Sequence, residues 1–156
     1  VAICASSPDQ ATAFSAAIAR RQQAGIYPRE LEFIVVHDPP AGRVGSGGGT
    51  LHALSQLPDD RSILLIHAGG ESRRLPAWAP EGKLFAPVPV PSSTVQPPVL
   101  LDIQLGLYLR YPWRPGELVV ASGDVYLDFD VSSVRADRGE VGCVPQRHGA
   151  DARNAA

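Results

Sequence analysis

An apolar run ending at His67 leads into Ala68, Gly69, Gly70, Glu71, Ser72, Arg73, Arg74, Leu75 and Pro76, and Lys83 follows shortly after. Adjacent glycines after a strand let backbone N–H groups approach an anion closely. Ser72 can add a hydroxyl donor. Arg73 and Arg74 offer fork-shaped donors suited to phosphate, and Lys83 adds a compact positive charge. A bound triphosphate needs this mixture of close amides and cations. The plainer alternative is a tight turn flanked by solvated arginines.

A second glycine-rich stretch holds Arg43, Gly45, Gly47, Gly48 and Gly49 and leads toward a helix from Thr50. Amides and a helix dipole there would favour an anion. A dinucleotide fingerprint starting at Gly45 and Gly47 would need glycine at Thr50. A P-loop ending at Gly82 and Lys83 would need glycine at Ala77 and a hydroxyl residue at Leu84. Neither regular pattern is complete, so a phosphate site and a flexible connector both remain open for this stretch.

The third candidate is Asp124, preceded by Ser122 and Gly123 just past an apolar run. Magnesium is commonly held by one or two carboxylates, with phosphate oxygens and water completing the shell. Asp124 is the best placed; Asp128 and Asp130 lie further out. A lone aspartate here can also be an ordinary turn residue. His37, His52, His67 and His148 show no metal-ligand spacing, and His67 reads as a satisfied structural histidine. No Gly-x-Ser-x-Gly elbow occurs.

These residues need a scaffold, and the chain alternates strand and helix patterns. Apolar runs at 1–5, 33–37, 62–67 and 117–122 read as buried parallel strands, with another candidate at 141–144. Ser6, Ser7, Pro8 and Asp9 start a helix whose Ala11, Phe14, Ala17 and Ile18 share a face, and Gly25 ends it. Further helices are expected over 50–57 and 97–111. The fold class is α/β, a mostly parallel sheet with helices on both faces. The three candidates then fall at strand carboxyl ends, where such sheets bind ligands.

The 156 residues amount to about one domain, and 44% hydrophobic with 19% charged residues supports a packed core. A net charge of −2 gives no general affinity for nucleic acid or acidic membranes. No apolar run approaches the roughly 20 residues needed to span a bilayer. Cys4 and Cys143 allow one disulfide, but two isolated cysteines read rather as reduced core residues of a cytoplasmic protein. With no methionine and an uncapped helix-like run at 149–156, the chain reads as an excerpt of a longer protein, its fold incomplete.

In their order, the residues from Arg43 to Leu51, from Leu65 to Pro76, Gly82 with Lys83, and Ala121 to Val125 resemble the pyrophosphorylase region of fucokinase/GDP-fucose pyrophosphorylase proteins. The resemblance covers about residues 1–144. It implies a Rossmann-like nucleotidyltransferase fold in three layers. Residues 1–156 would be its N-terminal nucleotide-binding part, without the sugar-binding half or any kinase domain. It implies transfer of a nucleotidyl group from a nucleoside triphosphate, GTP favoured, to a sugar 1-phosphate, with Mg²⁺ as cofactor. Gly69, Gly70, Ser72 and Arg73 would hold the triphosphate with Arg43, Gly45, Gly47 and Gly48. Arg74 and Lys83 would be catalytic, and Asp124 would hold the metal. Gly49 departs from the expected less flexible residue, and Glu71 would have to point away from the phosphates. A non-catalytic nucleotide-binding fragment and part of a sugar kinase are the alternatives.

Overall fold

The structure is a computed structural model that describes residues 1–40, 42, 44–68, 70, 76–78, 81–91, 96–127, 129–130 and 134. The strands form at the four apolar runs. They are β1 (Ala2–Ala5), β2 (Ile34–His37), β3 (Ile63–His67) and β4 (Leu118–Ser122). All pair in parallel in one four-stranded sheet of order β2-β1-β3-β4. β1 is buried throughout, whereas β4 alternates exposed and half-buried residues. β4 is not the buried strand its composition predicts, because at the edge of the sheet it leaves Leu118 and Val120 uncovered. The expected strand at 141–144 lies outside the described residues.

Alternation along the strands builds a core on each face. Ile3, Ala5, Leu64 and Ile66 pack with Phe14, Ala17 and Ile18 of α1 (Pro8–Gln23) and with Leu101, Leu105 and Tyr108 of α3 (Leu100–Tyr108). Ala2, Cys4, Val36 and Leu65 pack with Ala53 of α2 (Gly45–Leu54) and Leu57 beyond it. The sheet is therefore the middle of three layers, as the sequence patterns predict. Among the described residues no helix is long and apolar enough to cross a membrane.

Helix α1 starts and stops where expected. The Ser7 hydroxyl accepts from the Gln10 amide, Pro8 sits in the first turn, and Gly25 follows the end with φ +71°. Helix α2 differs: it begins at Gly45 rather than Thr50 and ends at Leu54 rather than Leu57. Glycine costs about 1 kcal/mol per helical position relative to alanine, so propensity alone argues for a loop. Packing overrides it. Gly49 is buried, and a Cβ there would meet the His67 ring at 3.6 Å, so a slim helix face fits against the end of β3. Helix α3 is shorter than the expected 97–111. The Val88 amide donates to the Pro98 carbonyl and Pro87 bridges Val99, which keeps the residues before Leu100 extended.

A buried polar network ties α1 to α3. Arg21 Nη1 lies 2.5 Å from Asp102 Oδ2, and Arg21 Nη2 donates to the Pro97 carbonyl. Tyr27 donates to Asp102 Oδ1 at 2.7 Å, and the Val99 amide to Oδ2 at 2.9 Å. Burial and then the Asp102 carboxylate push the Tyr27 phenol above its ordinary range, so it stays a donor.

Cys4 is a buried free thiol, and burial with the nearby Asp38 charge pushes it up to about 11. Thiolate is the reactive form. Cys4 should therefore resist iodoacetamide at pH 8 in the native protein and react once the protein is denatured. Native alkylation of the Cys4 peptide, read by mass spectrometry, would contradict its burial.

Candidate functional site

Because the strands are parallel, their carboxyl ends lie along one edge of the sheet. The connection from β1 runs to β2 at one side, and that from β3 runs to β4 at the other. Such a divergence leaves a crevice above the strand ends, the usual ligand position in open α/β sheets.

Lys83 and Asp124 meet at this end. Lys83 opens a short 3₁₀ turn, Lys83–Phe85, whose Leu84 and Phe85 are buried. Gly82 has φ +66°, and a Cβ there would lie 3.2 Å from the Phe14 ring, so glycine lets the turn close onto the core. Lys83 stays partly exposed, with Nζ 3.0 Å from Asp124 Oδ2. Asp124 follows β4. The Gly123 amide donates to the His67 carbonyl at 2.8 Å, and a Cβ on Gly123 would approach that carbonyl and Ala68 to 3.0 Å. Ser122 Oγ donates to Asp124 Oδ1 at 2.8 Å. The Ser122 hydroxyl, with Lys83 next, holds the Asp124 carboxyl below its ordinary range. Asp124 is therefore an anion at neutral pH.

Gly70 joins the same region through a residue that motif reading missed. Gln10 is buried in the first turn of α1. Its Oε1 accepts from the Ser6 amide at 2.8 Å and the Ser6 hydroxyl at 2.9 Å, while Nε2 donates to the Gly70 carbonyl at 3.2 Å. The glycine stretch is thus tied to the end of β1. Gly70 has φ +146°, a conformation that favours glycine. The signal was available: Ser7 followed three residues later by Gln10 is a capping-box pattern.

Gly45, Gly47 and Gly48 lie in the first turn of α2, on the other side of His67. At Gly45 and Gly47 an added Cβ would meet nothing within 4 Å, so their backbone faces open space. Thr50 donates its hydroxyl to the Ser46 carbonyl at 3.0 Å, so His67 Nε2, 2.7 Å away, is the donor to Thr50 Oγ1. Burial lowers the His67 pKa, partly offset by Asp38. His67 is a satisfied structural histidine whose ring supports α2 and whose carbonyl holds Gly123.

The described part of the predicted site therefore assembles as two groups joined by His67. Lys83 and Asp124 form one, which Gly70 adjoins through Gln10, whose Nε2 would lie 3.6 Å from a Cβ on Gly82; Gly45, Gly47 and Gly48 form the other. Arg43, Gly69, Ser72, Arg73 and Arg74 lie outside the described residues, as do Glu71 and Asp128. Among the described residues no cluster of three or more His, Cys, Asp or Glu could hold a metal. A single exposed carboxylate suits a magnesium ion that brings its own phosphate oxygens and waters. It does not suit a cation caged by protein alone.

A family model described as the fucose pyrophosphorylase domain matches residues 55–144. The chain is similar to a fucose-1-phosphate guanylyltransferase of Homo sapiens, 33% identical over 136 residues that cover 81% of this chain and 22% of that protein. It is similar to an L-fucokinase/L-fucose-1-P guanylyltransferase of Bacteroides fragilis, 36% identical over 115 residues, covering 62% of this chain and 12% of that protein. A bifunctional fucokinase/GDP-fucose pyrophosphorylase of Arabidopsis thaliana is 27% identical over 165 residues, covering 83% of this chain and 16% of that protein. The chain thus spans under a quarter of the length of the curated relatives it matches. No solved structure matches it.

Proposed function

Because this chain belongs to the fucose pyrophosphorylase domain family, we propose that it carries the nucleotide-binding part of a fucose-1-phosphate guanylyltransferase, with a Rossmann-like nucleotidyltransferase fold. GTP and fucose 1-phosphate would give GDP-fucose and pyrophosphate. The observation that carries this reading is the meeting of Lys83 with Asp124 above the strand ends. A cation for phosphate and a carboxylate for metal are both needed there, and they come from distant parts of the chain.

A phosphate oxygen of the sugar phosphate attacks the α-phosphorus of GTP, the α–β anhydride bond breaks, and pyrophosphate leaves. Catalysis then rests on placement and on neutralising charge. Gly69, Gly70, Ser72 and Arg73, with Arg43, Gly45, Gly47 and Gly48, would hold the triphosphate by amides, a hydroxyl and guanidinium groups. Arg74 and Lys83 would steady the transferring and departing phosphates. Asp124 would hold Mg²⁺, which when bound supplies charge neutralisation between phosphate oxygens. The reading implies a cytoplasmic enzyme whose partners are these two small molecules.

The test is pyrophosphate release by the intact protein across a panel of nucleoside triphosphates and sugar 1-phosphates. GTP with fucose 1-phosphate is the expected best pair, and silence with every pair would sink the reading. Asp124→Asn should raise the Mg²⁺ concentration for half-maximal rate about tenfold or more, the scale on which metal-site residues act. Because the Asp124 pKa is lowered, its carboxylate stays charged until pH falls below the ordinary carboxylate range. The Mg²⁺ midpoint should then not move through Asp124 between about pH 5 and 8. An unchanged midpoint in Asp124→Asn would remove that residue from the site.

A further inference from the structure

The buried side of α3 is apolar at Leu101, Leu105 and Tyr108, yet it includes Gln104, which is 2% exposed. Gln104 Nε2 donates to the Ser122 carbonyl at 3.1 Å and to the Val125 carbonyl at 2.6 Å. These two carbonyls bracket Gly123 and Asp124. The β3–β4 pairing ends at His67 and Ser122, so no ladder bond reaches Val125. Gln104 closes the turn from the helix side, and the Gly123 amide closes it from β3.

The energy balance says why a glutamine stands there. Two net hydrogen bonds contribute about as much as one buried acceptor left unpaired costs. Gln104 Oε1 is such an acceptor among the described residues. Gain and cost nearly cancel, so global stability does not account for the residue. Its specific effect is to fix the path of the chain through Asp124, and with it the distance from Asp124 to Lys83.

We propose that Gln104 is a positioning residue for Asp124 in the transfer reaction. This rests on the proposed reading of the site. Gln104→Met keeps the volume and removes both donors. Gln104→Glu keeps the shape and, as the carboxylic acid, one donor. In the intact protein, Mn²⁺ affinity in the presence of GTP is read by electron paramagnetic resonance, which needs no turnover. Steady-state kinetics and thermal melting are measured beside it.

Gln104→Met is expected to weaken Mn²⁺ binding and lower kcat by about tenfold or more, the effect typical of residues behind a metal ligand. KM for fucose 1-phosphate should stay near wild type, and added Mn²⁺ should recover part of the rate. Gln104→Glu should fall between Gln104→Met and wild type. Wild-type Mn²⁺ affinity and kcat in a folded Gln104→Met protein, with only the melting temperature lowered, would overturn the proposal. If Gln104→Met does not fold, wild-type values for Gln104→Glu would overturn it equally. Asp124→Asn separates the two levels. If it weakens Mn²⁺ binding and the Gln104 variants do not, only the positioning role falls. If Asp124→Asn itself leaves Mn²⁺ binding unchanged, the site reading falls and the positioning role with it.

Discussion

Lys83→Ala in the intact protein is expected to lower the rate of pyrophosphate release by about 10²–10³-fold, the effect of removing one placed transition-state donor. Folding stability should stay within about 1 kcal/mol of wild type. The two expectations come from different atoms. Leu84 and Phe85 hold the turn in the core, and the Phe85 ring packs against Phe14 in a tilted pair with centroids 5.3 Å apart. The Lys83 side chain is 39% exposed and its partner Asp124 50% exposed. An ion pair so open to water contributes about 0–1 kcal/mol. That small value would also serve the proposed reaction. On the proposed reading, a triphosphate would draw Lys83 away from Asp124 at little cost, and a carboxylate oxygen would then be free for the metal. Lys83→Arg should restore only part of the rate, because a planar fork does not replace a compact ammonium. Paired measurements of turnover and melting temperature check both halves. Wild-type turnover in Lys83→Ala would end the catalytic assignment.

The sheet was readable because each strand is an unbroken apolar run, and β1 is buried along its whole length. The start of α1 was readable because Ser7, Pro8 and Asp9 each act locally. The start of α2 was not, since its glycines oppose helix on propensity and only packing against His67 reverses that. The first turn expected for α3 was lost to Pro97 and Pro98, whose preference for extended chain the Pro87–Val99 bridge exploits. Within the site, Lys83 and Asp124 could be named singly from residue type and position. Their contact spans 41 residues and exists only because Gly82 and Gly123 admit close approach. Gln10 and Gln104 were harder. Each sits at an ordinary helix position, and its meaning lies in partners 60 residues away for Gln10 and 18 and 21 away for Gln104.

Asp102→Ala should be the most destabilising substitution, costing about 3–5 kcal/mol. That is a large share of the roughly 5–15 kcal/mol of a typical domain. The Arg21 and Asp102 side chains are only 8% and 14% exposed. Removing the carboxylate leaves the guanidinium buried with the Pro97 carbonyl as its remaining partner, and strips the Tyr27 hydroxyl and the Val99 amide of their acceptor. Replacing both charges by apolar groups, Arg21→Met with Asp102→Leu, should recover much of the loss, because no bare charge remains. Recovery should stop short of wild type, since Tyr27 and Val99 still lack an acceptor. The double variant should therefore be more stable than Asp102→Ala, with a coupling of about 0.5–3 kcal/mol between the two positions. Urea denaturation of the intact protein measures all of this through the transition midpoint at constant slope. A loss below about 1 kcal/mol in Asp102→Ala would mean that water replaces the carboxylate, and α1 and α3 would then owe their docking to the apolar core that includes Phe14, Ala17, Ile18, Leu101, Leu105 and Tyr108.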